Sequence, residues 1–239
     1  MAKLAIWGDQ NGVALTKDVL LAPKTIERYI EFGLPSFGAA SRGTRRSMLL
    51  RVSEALLGDT AHRTQMTALP SATPSAPYSK EEMDSLLRWA NCQSGERKTN
   101  ARILLTLGIG AGLSATEIVS VRAEHVSVDA DGTHVLVPGT RSRRVLVEGP
   151  FARMLSEAAK LREAGDWLFC TTRKGAGPNL ISNFAARDAS PELRPNSRRM
   201  RATWVVGRIR SGMPPLALMK SAGVQSLDAL GRFAEYAAA

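Results

Sequence analysis

Gly112-Leu113-Ser114-Ala115-Thr116-Glu117-Ile118 is the stretch from which the fold of this chain is read. Ser114 followed three residues later by Glu117 forms a capping box. The serine side chain satisfies the Glu117 amide, and the glutamate returns to the Ser114 amide. A short helix therefore starts after Ser114 and runs to about Val121. Upstream, the apolar run 103–113 is broken by Gly108, Gly110 and Gly112, which predicts a helix over 97–109 that ends at Gly110 and Gly112. Downstream, the period changes to two. Val126 and Val128, the Asp131-Gly132 turn, Val135 and Val137, then Val145 and Val147 predict a small three-stranded antiparallel sheet.

Farther out, helices dominate. Ser79-Lys80-Glu81-Glu82 is a second capping box, opening a helix to about Cys92 with Met83, Leu86, Leu87 and Ala90 inward. Before it, Leu69-Pro70-Ser71-Ala72-Thr73-Pro74-Ser75-Ala76-Pro77 denies both helix and sheet. This predicts a linker over 69–77 between a helical domain over 1–68 and a larger domain over 78–239. In the first domain, 23–32 reads as a helix with Ile26, Tyr29 and Ile30 on one face, stopped by Gly33. A second helix over 45–57 carries Leu49, Val52, Leu56 and Leu57 at helical spacing. After the sheet, helices are expected over 151–164, 199–210, 215–222 and 227–236, with a short apolar run at Trp167-Leu168-Phe169. The fold class is mainly α with one small sheet, and Trp89 and Trp204 occupy apolar helical positions expected in the core.

Charge narrows the function. The 239 residues hold 32 Lys and Arg against 22 Asp and Glu, a net of +10, with a pI near 10.2. Of this, +6 falls in the last 46 residues, where eight basic residues face only Asp228 and Glu235. A localised excess of this kind attracts a polyanion. No stretch has the roughly 20 apolar residues of a membrane span, and the first residues lack the pattern of a signal peptide. Cys92 and Cys170 make no disulfide framework and read as semi-buried thiols. His62, His125 and His134 are scattered, without metal-ligand spacing. Residues 108–112 are glycine-rich, but no Lys-Ser/Thr follows them as in a nucleotide-binding loop. No metal and no cofactor is expected.

The order of these elements resembles the catalytic domain of the tyrosine recombinase (phage integrase) family over about residues 78–236. Gly112-Leu113-Ser114-Ala115-Thr116-Glu117-Ile118 is similar to that family's Gly-Leu-Arg-x-x-Glu-Leu box. Gly139-Thr140-Arg141-Ser142-Arg143-Arg144-Val145 sits where the family has a basic β-hairpin. Arg198-Arg199-Met200-Arg201-Ala202-Thr203-Trp204 resembles its His-x-Leu-Arg-x-Thr-Phe box. Gly212, Gly223-Val224 and Phe233 fall where the family places a helix-ending glycine, a Gly-His/Trp pair and its tyrosine. The helical piece over 1–68 looks like a cut-down core-binding domain, and Thr25-Ile26-Glu27-Arg28-Tyr29-Ile30 followed by Gly33-Leu34 would equally suit a helix-turn-helix.

The resemblance implies metal-free transesterification by a tyrosine, with arginines holding the phosphate oxygens. The residues depart from that set. Ser114 replaces the first arginine, and Arg141 or Arg143 stands nearest the hairpin lysine. Arg198 replaces a histidine, Val224 stands at the His/Trp position, and Phe233 replaces the nucleophile. Arg201 alone is kept.

The expectation is a degenerate member, not an enzyme, that binds double-stranded DNA at specific sites, as a transcriptional regulator derived from a mobile-element or phage integrase. The alternatives are an accessory subunit of an active recombinase, and an active recombinase with an unorthodox site that uses Tyr236; the expected partners are double-stranded DNA and another DNA-bound protein. The expected DNA-binding residues are Arg42, Arg45, Arg46 and Arg51, then Arg141, Arg143 and Arg144, then Arg198, Arg199 and Arg201. A solvated face is the other reading of the first four. Base readers are expected in 41–51 and on the helix after Gly177, without individual assignment. A monomer in free solution is expected because only six residues follow Phe233, and the expected location is the cytoplasm, at the nucleoid.

Overall fold

The computed structural model describes residues 2–58, 73–173, 175, 177, 179–187 and 194–238. His62 and residues 69–72 of the expected linker lie outside them. Contacts divide the chain into two compact units, Met1–Thr73 and Pro74–Ala239.

The first unit holds α1 (Ala2–Gln10), α2 (Lys17–Leu20), α3 (Pro23–Phe32) and α4 (Ala39–Leu57). Its core joins Leu4, Leu20, Leu21, Ile26, Tyr29, Ile30, Leu34 and Leu49. α3 begins with proline at its first turn, where the missing N–H costs nothing. Gly33 ends it and donates to the Tyr29 carbonyl at 2.8 Å. α1 and α2 were not foreseen, and α4 starts six residues before the expected position 45. The Arg42 guanidinium turns back onto the Phe37 carbonyl (2.9 Å) and the Pro35 carbonyl (3.3 Å), which secures that early turn. Leu56, expected inward, is 55% exposed. The inward row of α4 runs through the buried Leu49 and Ser53 to the partly buried Leu57 at four-residue steps, and the Ser53 hydroxyl donates to the Leu21 carbonyl at 2.7 Å.

The second unit opens with α5 (Lys80–Cys92) and α6 (Gly95–Leu105), and both expected capping boxes are present, at Ser79/Glu82 and Ser114/Glu117. The expected helix over 97–109 instead widens into a π-helical turn at Thr106–Gly110. The glycines of this stretch have a packing reason. A Cβ on Gly108 would lie 2.7 Å from the Met200 sulfur, one on Gly110 2.7 Å from Phe151 Cβ, and one on Gly112 2.3 Å from the Trp204 ring. The glycine-rich stretch is a packing seam. Gly112 also adopts φ +65°, open to glycine at little cost.

Next come α7 (Ala115–Ile118), β1 (Val126–Asp129), β2 (Gly132–Val137), β3 (Arg143–Val147) and α8 (Gly149–Lys160). The sheet is antiparallel in the order β1-β2-β3. Val135 pairs with Val145 and Thr133 with Val147. Val135, Val137, Val145 and Val147 are at most 1% exposed, so one sheet face is core.

The chain continues through α9 (Leu180–Ala186), α10 (Ser197–Arg210), α11 (Pro215–Ala222), α12 (Asp228–Gly231) and α13 (Ala234–Ala238). The helix expected over 227–236 is broken at Arg232 and Phe233. Trp89 and Trp204 are core residues, at 8% and 4% exposure. Cys92 is exposed and Cys170 half-buried. No helix among the described residues is long and apolar enough to cross a membrane, and they contain no group of three or more His, Cys, Asp or Glu that could hold a metal.

Candidate nucleic-acid interface

Strand alternation decides where the hairpin arginines go. Arg143 is in phase with Val145 and Val147, so it points into the unit with the valines; Arg144, out of phase, points away. The Arg143 side chain is only 4% exposed. A charge so buried must be paired. Its Nη1 donates to Glu117 Oε1 at 2.6 Å and to the Arg141 carbonyl at 3.2 Å, and its Nε donates to the Ser221 carbonyl at 2.7 Å. Its Nη2 is buried without a hydrogen-bond partner among the described residues. Gly223, at φ +64°, makes room for it: a Cβ there would lie 2.6 Å from Arg143 Nη1.

Glu117 is the hub. Its Oε2 accepts from the Ser114 amide at 2.7 Å and hydroxyl at 2.8 Å, while Oε1 takes Arg143. Burial raises its pKa, but the hydrogen bonds from Arg143 and Ser114 outweigh burial and bring it down to about 2. Arg201 Nη1 stands 3.8 Å from the same carboxylate. Both Arg201 Nη atoms also donate to backbone, Nη1 to the Gly112 carbonyl and Nη2 to the Ala222 carbonyl (2.6 Å). Burial lowers the Arg201 pKa, with Glu117 opposing and the charges of Arg143 and Arg141 assisting. Two guanidiniums therefore face one carboxylate, and both also donate to the protein's own backbone carbonyls.

Beside this cluster lies an open depression of about 410 Å³ lined by Ser114, Thr116, Glu117, Ser120, Thr140 and Arg141. Arg141 is exposed and makes no side-chain hydrogen bond or ion pair with a described residue. Hydroxyls and one free guanidinium at a cluster of net positive charge suit an anion. Ser114 is fully explained as a helix cap.

The remaining expected arginines sort by partner. Arg144 pairs with Asp129 and lies 2.9 Å from His134 Nδ1. Arg199 donates to Glu82 (2.7 Å), to the Pro77 (3.1 Å) and Ala76 (3.2 Å) carbonyls, and stacks 4.0 Å from the Tyr78 ring centre. Arg198, by contrast, is exposed, and only its backbone is engaged, by the Asn196 cap. In the first unit, Arg42 holds loop carbonyls, Arg45 stacks on Phe37 at 4.4 Å, and Arg46 faces Glu27 at 3.8 Å. Arg51 is exposed and bonded to no described residue. Of the ten, Arg51, Arg141 and Arg198 have free side chains.

Phe233 and Val224 are partly buried against the core of the second unit. The Tyr236 hydroxyl donates to the Pro74 carbonyl at 3.3 Å, and the Tyr236 and Ala237 carbonyls accept from Arg210. Arg194, Arg210 and Lys220 belong to the basic excess of the last 46 residues but not to the expected DNA-binding set; Arg194 and Lys220 are exposed. Glu117 was read only as a cap, although the inward phase of Arg143 calls for a buried acid beside it.

No protein-family model matches the sequence, and no curated protein matches it. Solved structures do. The XerH site-specific recombinase bound to difH substrate, in a pre-cleavage complex, is 12% identical. It matches 100% of this chain and 75% of its own, at a TM-score of 0.66. The Tn1549 transposon integrase in complex with transposon right-end DNA is 13% identical over 88% of this chain and 80% of its own, at 0.60. XerA recombinase is 14% identical over 97% and 91%, at 0.52. The chain has the fold of the tyrosine recombinases and integrases.

Proposed function

We propose that this chain is a non-catalytic, site-specific double-stranded DNA-binding protein, a transcriptional regulator derived from a mobile-element integrase. The observation that carries this reading is the fate of Arg201. Transesterification needs guanidiniums that close on phosphate oxygens as charge builds. Here each Arg201 Nη already donates one hydrogen bond to backbone, at the Gly112 and Ala222 carbonyls. Arg143 is committed to Glu117, Ser114 caps a helix, and Phe233 has no oxygen with which to attack phosphorus. The Tyr236 hydroxyl, the other candidate nucleophile, is engaged at Pro74.

What is left is suited to holding a duplex. Arg141, Arg198 and Arg51 are free for phosphates or base edges, and the net charge of +10 supplies the long-range attraction. The solved structures with this fold include proteins described as bound to DNA, which supports the same partner for this chain. Packing of α13 against α10 of its own unit supports a monomer in free solution.

The test is selection from random duplex DNA by the purified protein at near-physiological salt, together with a search for covalent adducts on nicked versions of the selected site. An enriched motif without adduct is expected. A covalent adduct, or salt-insensitive failure to bind duplex DNA, would sink the proposal.

A further inference from the structure

The second unit begins with residues 74–78, which run without helix or strand to the Ser79 cap of α5. Pro74 and Pro77 bring no N–H, so this stretch is held mainly through its carbonyls. Side chains of two helices take them. The Tyr236 hydroxyl of α13 donates to the Pro74 carbonyl at 3.3 Å. Arg199 of α10 donates to the Ala76 (3.2 Å) and Pro77 (3.1 Å) carbonyls and lies 4.0 Å from the Tyr78 ring centre. One turn on, the Thr203 hydroxyl oxygen accepts from the Tyr78 amide at 2.8 Å. The buried Tyr78 in turn accepts the Asn196 amide on its hydroxyl at 2.9 Å.

The Pro74 end of this stretch hangs on a residue that is itself held. α13 has five residues, none of them buried, and a helix that short does not stand alone. Its last carbonyls have no partner within the helix. Arg210, the final residue of α10, supplies one: Nη2 donates to the Tyr236 carbonyl at 2.8 Å and Nε to the Ala237 carbonyl at 3.4 Å. Arg210 thus holds α13, and Tyr236 of α13 holds Pro74. Among the described residues Arg210 makes no hydrogen bond to 74–78, and Arg199 makes none to α13. Tyr236 is the link between the two sets.

We infer that residues 74–78 and α13 form a strap and its latch, which seat and open as one unit with Tyr236 as the pin. The fold then carries a conformational device. Whatever lifts α13 from α10 also frees the five residues with which the chain enters the second unit. Coupling of two equilibria is reciprocal, so a seated strap steadies α13 to the same extent. The device is independent of the DNA-binding function proposed above.

Native-state amide exchange of the full-length protein, followed residue by residue by NMR, reads both ends. The Tyr78 amide, bonded to Thr203, reports the strap; the Ala237 amide, bonded to the Phe233 carbonyl at 3.1 Å, reports the latch. In the parent both should exchange through a local opening, faster than the amides of β2 and β3. Tyr236→Phe removes only the pin's hydrogen bond and should speed exchange at Tyr78 about two- to ten-fold, the range for one such bond. Arg210→Ala should also speed Tyr78, although Arg210 bonds only to α13. Arg199→Ala should speed Ala237, although Arg199 bonds only to the strap and α5. If Tyr78 keeps its parent rate in both Tyr236→Phe and Arg210→Ala, or Ala237 keeps its rate in Arg199→Ala, the segments open separately and the inference falls. It falls too if both reporters in the parent exchange no faster than the sheet, because the whole unit then opens at once.

Discussion

Arg143 Nη1 lies 2.6 Å from Glu117 Oε1, and the two side chains are 4% and 17% exposed. The pair ties β3 to the cap of α7. Through the Arg143 Nε bond to the Ser221 carbonyl it also reaches the end of α11. Arg201 reaches the neighbouring carbonyl of Ala222 and, through Gly112, the turn before α7. Two arginines and one glutamate thus clasp three parts of the chain far apart in sequence.

Removing one partner of a buried pair leaves the other charge stranded, at a cost of about 3–5 kcal/mol. Arg143→Ala and Glu117→Ala should each lower the stability of the protein by roughly that amount, read from the midpoint of urea unfolding. The double variant should lose much less than the sum, because neither charge is then left alone. Strictly additive losses would show that the two residues act separately.

The clasp also sets a pH dependence. Glu117 sits at about 2 in the folded protein, against an ordinary 4.5. A depressed carboxylate pKa means the unfolded chain binds the proton more readily. The stabilisation is therefore complete above about pH 4.5 and is lost as the pH falls through about 2. Its size is about 3 kcal/mol, from the difference between the two values. Glu117→Gln should flatten the acid side of the stability profile over that window, as followed by urea midpoints at successive pH values. An unchanged profile would assign the acid sensitivity to other carboxylates.

Phosphate contacts show in the salt dependence. Arg141 and Arg198 have free side chains, whereas Arg199 is held by Glu82 and two carbonyls. Arg141→Ala with Arg198→Ala should reduce the slope of log affinity against log salt by about 2. Arg199→Ala should leave the slope nearly as it is and lower stability instead. A slope that drops for Arg199→Ala and not for the other pair would reverse this assignment.

Much of this was legible in the sequence, and the rest has identifiable causes. The two capping boxes and the valine alternation are local signals, and they give the helix starts and the sheet directly. Phase along β3 also marks Arg143 as inward, since it keeps step with Val145 and Val147. Grouping it with Arg141 and Arg144 as a basic hairpin hid that difference. The partners of Arg199 and Arg201 are carbonyls and carboxylates more than 20 residues away, which no periodicity reports. The glycines at 108, 110 and 112 read locally as helix breakers. Their reason is tertiary: the approach of Met200, Phe151 and Trp204. α1 and α2 escaped notice because their helices are short and their apolar residues show no strong face.

The non-catalytic reading has a sharp consequence at Phe233. Adding a hydroxyl with Phe233→Tyr supplies an oxygen at the position that the sequence resemblance aligns with the family's tyrosine, with the ring still partly buried as now. A nucleophile alone does not make transesterification possible, because the developing charge on phosphorus needs positioned donors. Ser114 offers a short hydroxyl already bonded to Glu117, and Arg201 is held by the Gly112 and Ala222 carbonyls. Val224 has no proton to give to a leaving oxygen. Phe233→Tyr should therefore bind DNA as the parent does and form no covalent adduct on a nicked duplex carrying the selected site, with denaturing gels as the readout. An adduct in this variant, lost again when Arg201 is changed to Lys, would mean that DNA draws Arg201 away from its carbonyls and that the phosphate site is still intact. The protein would then be one substitution from an enzyme.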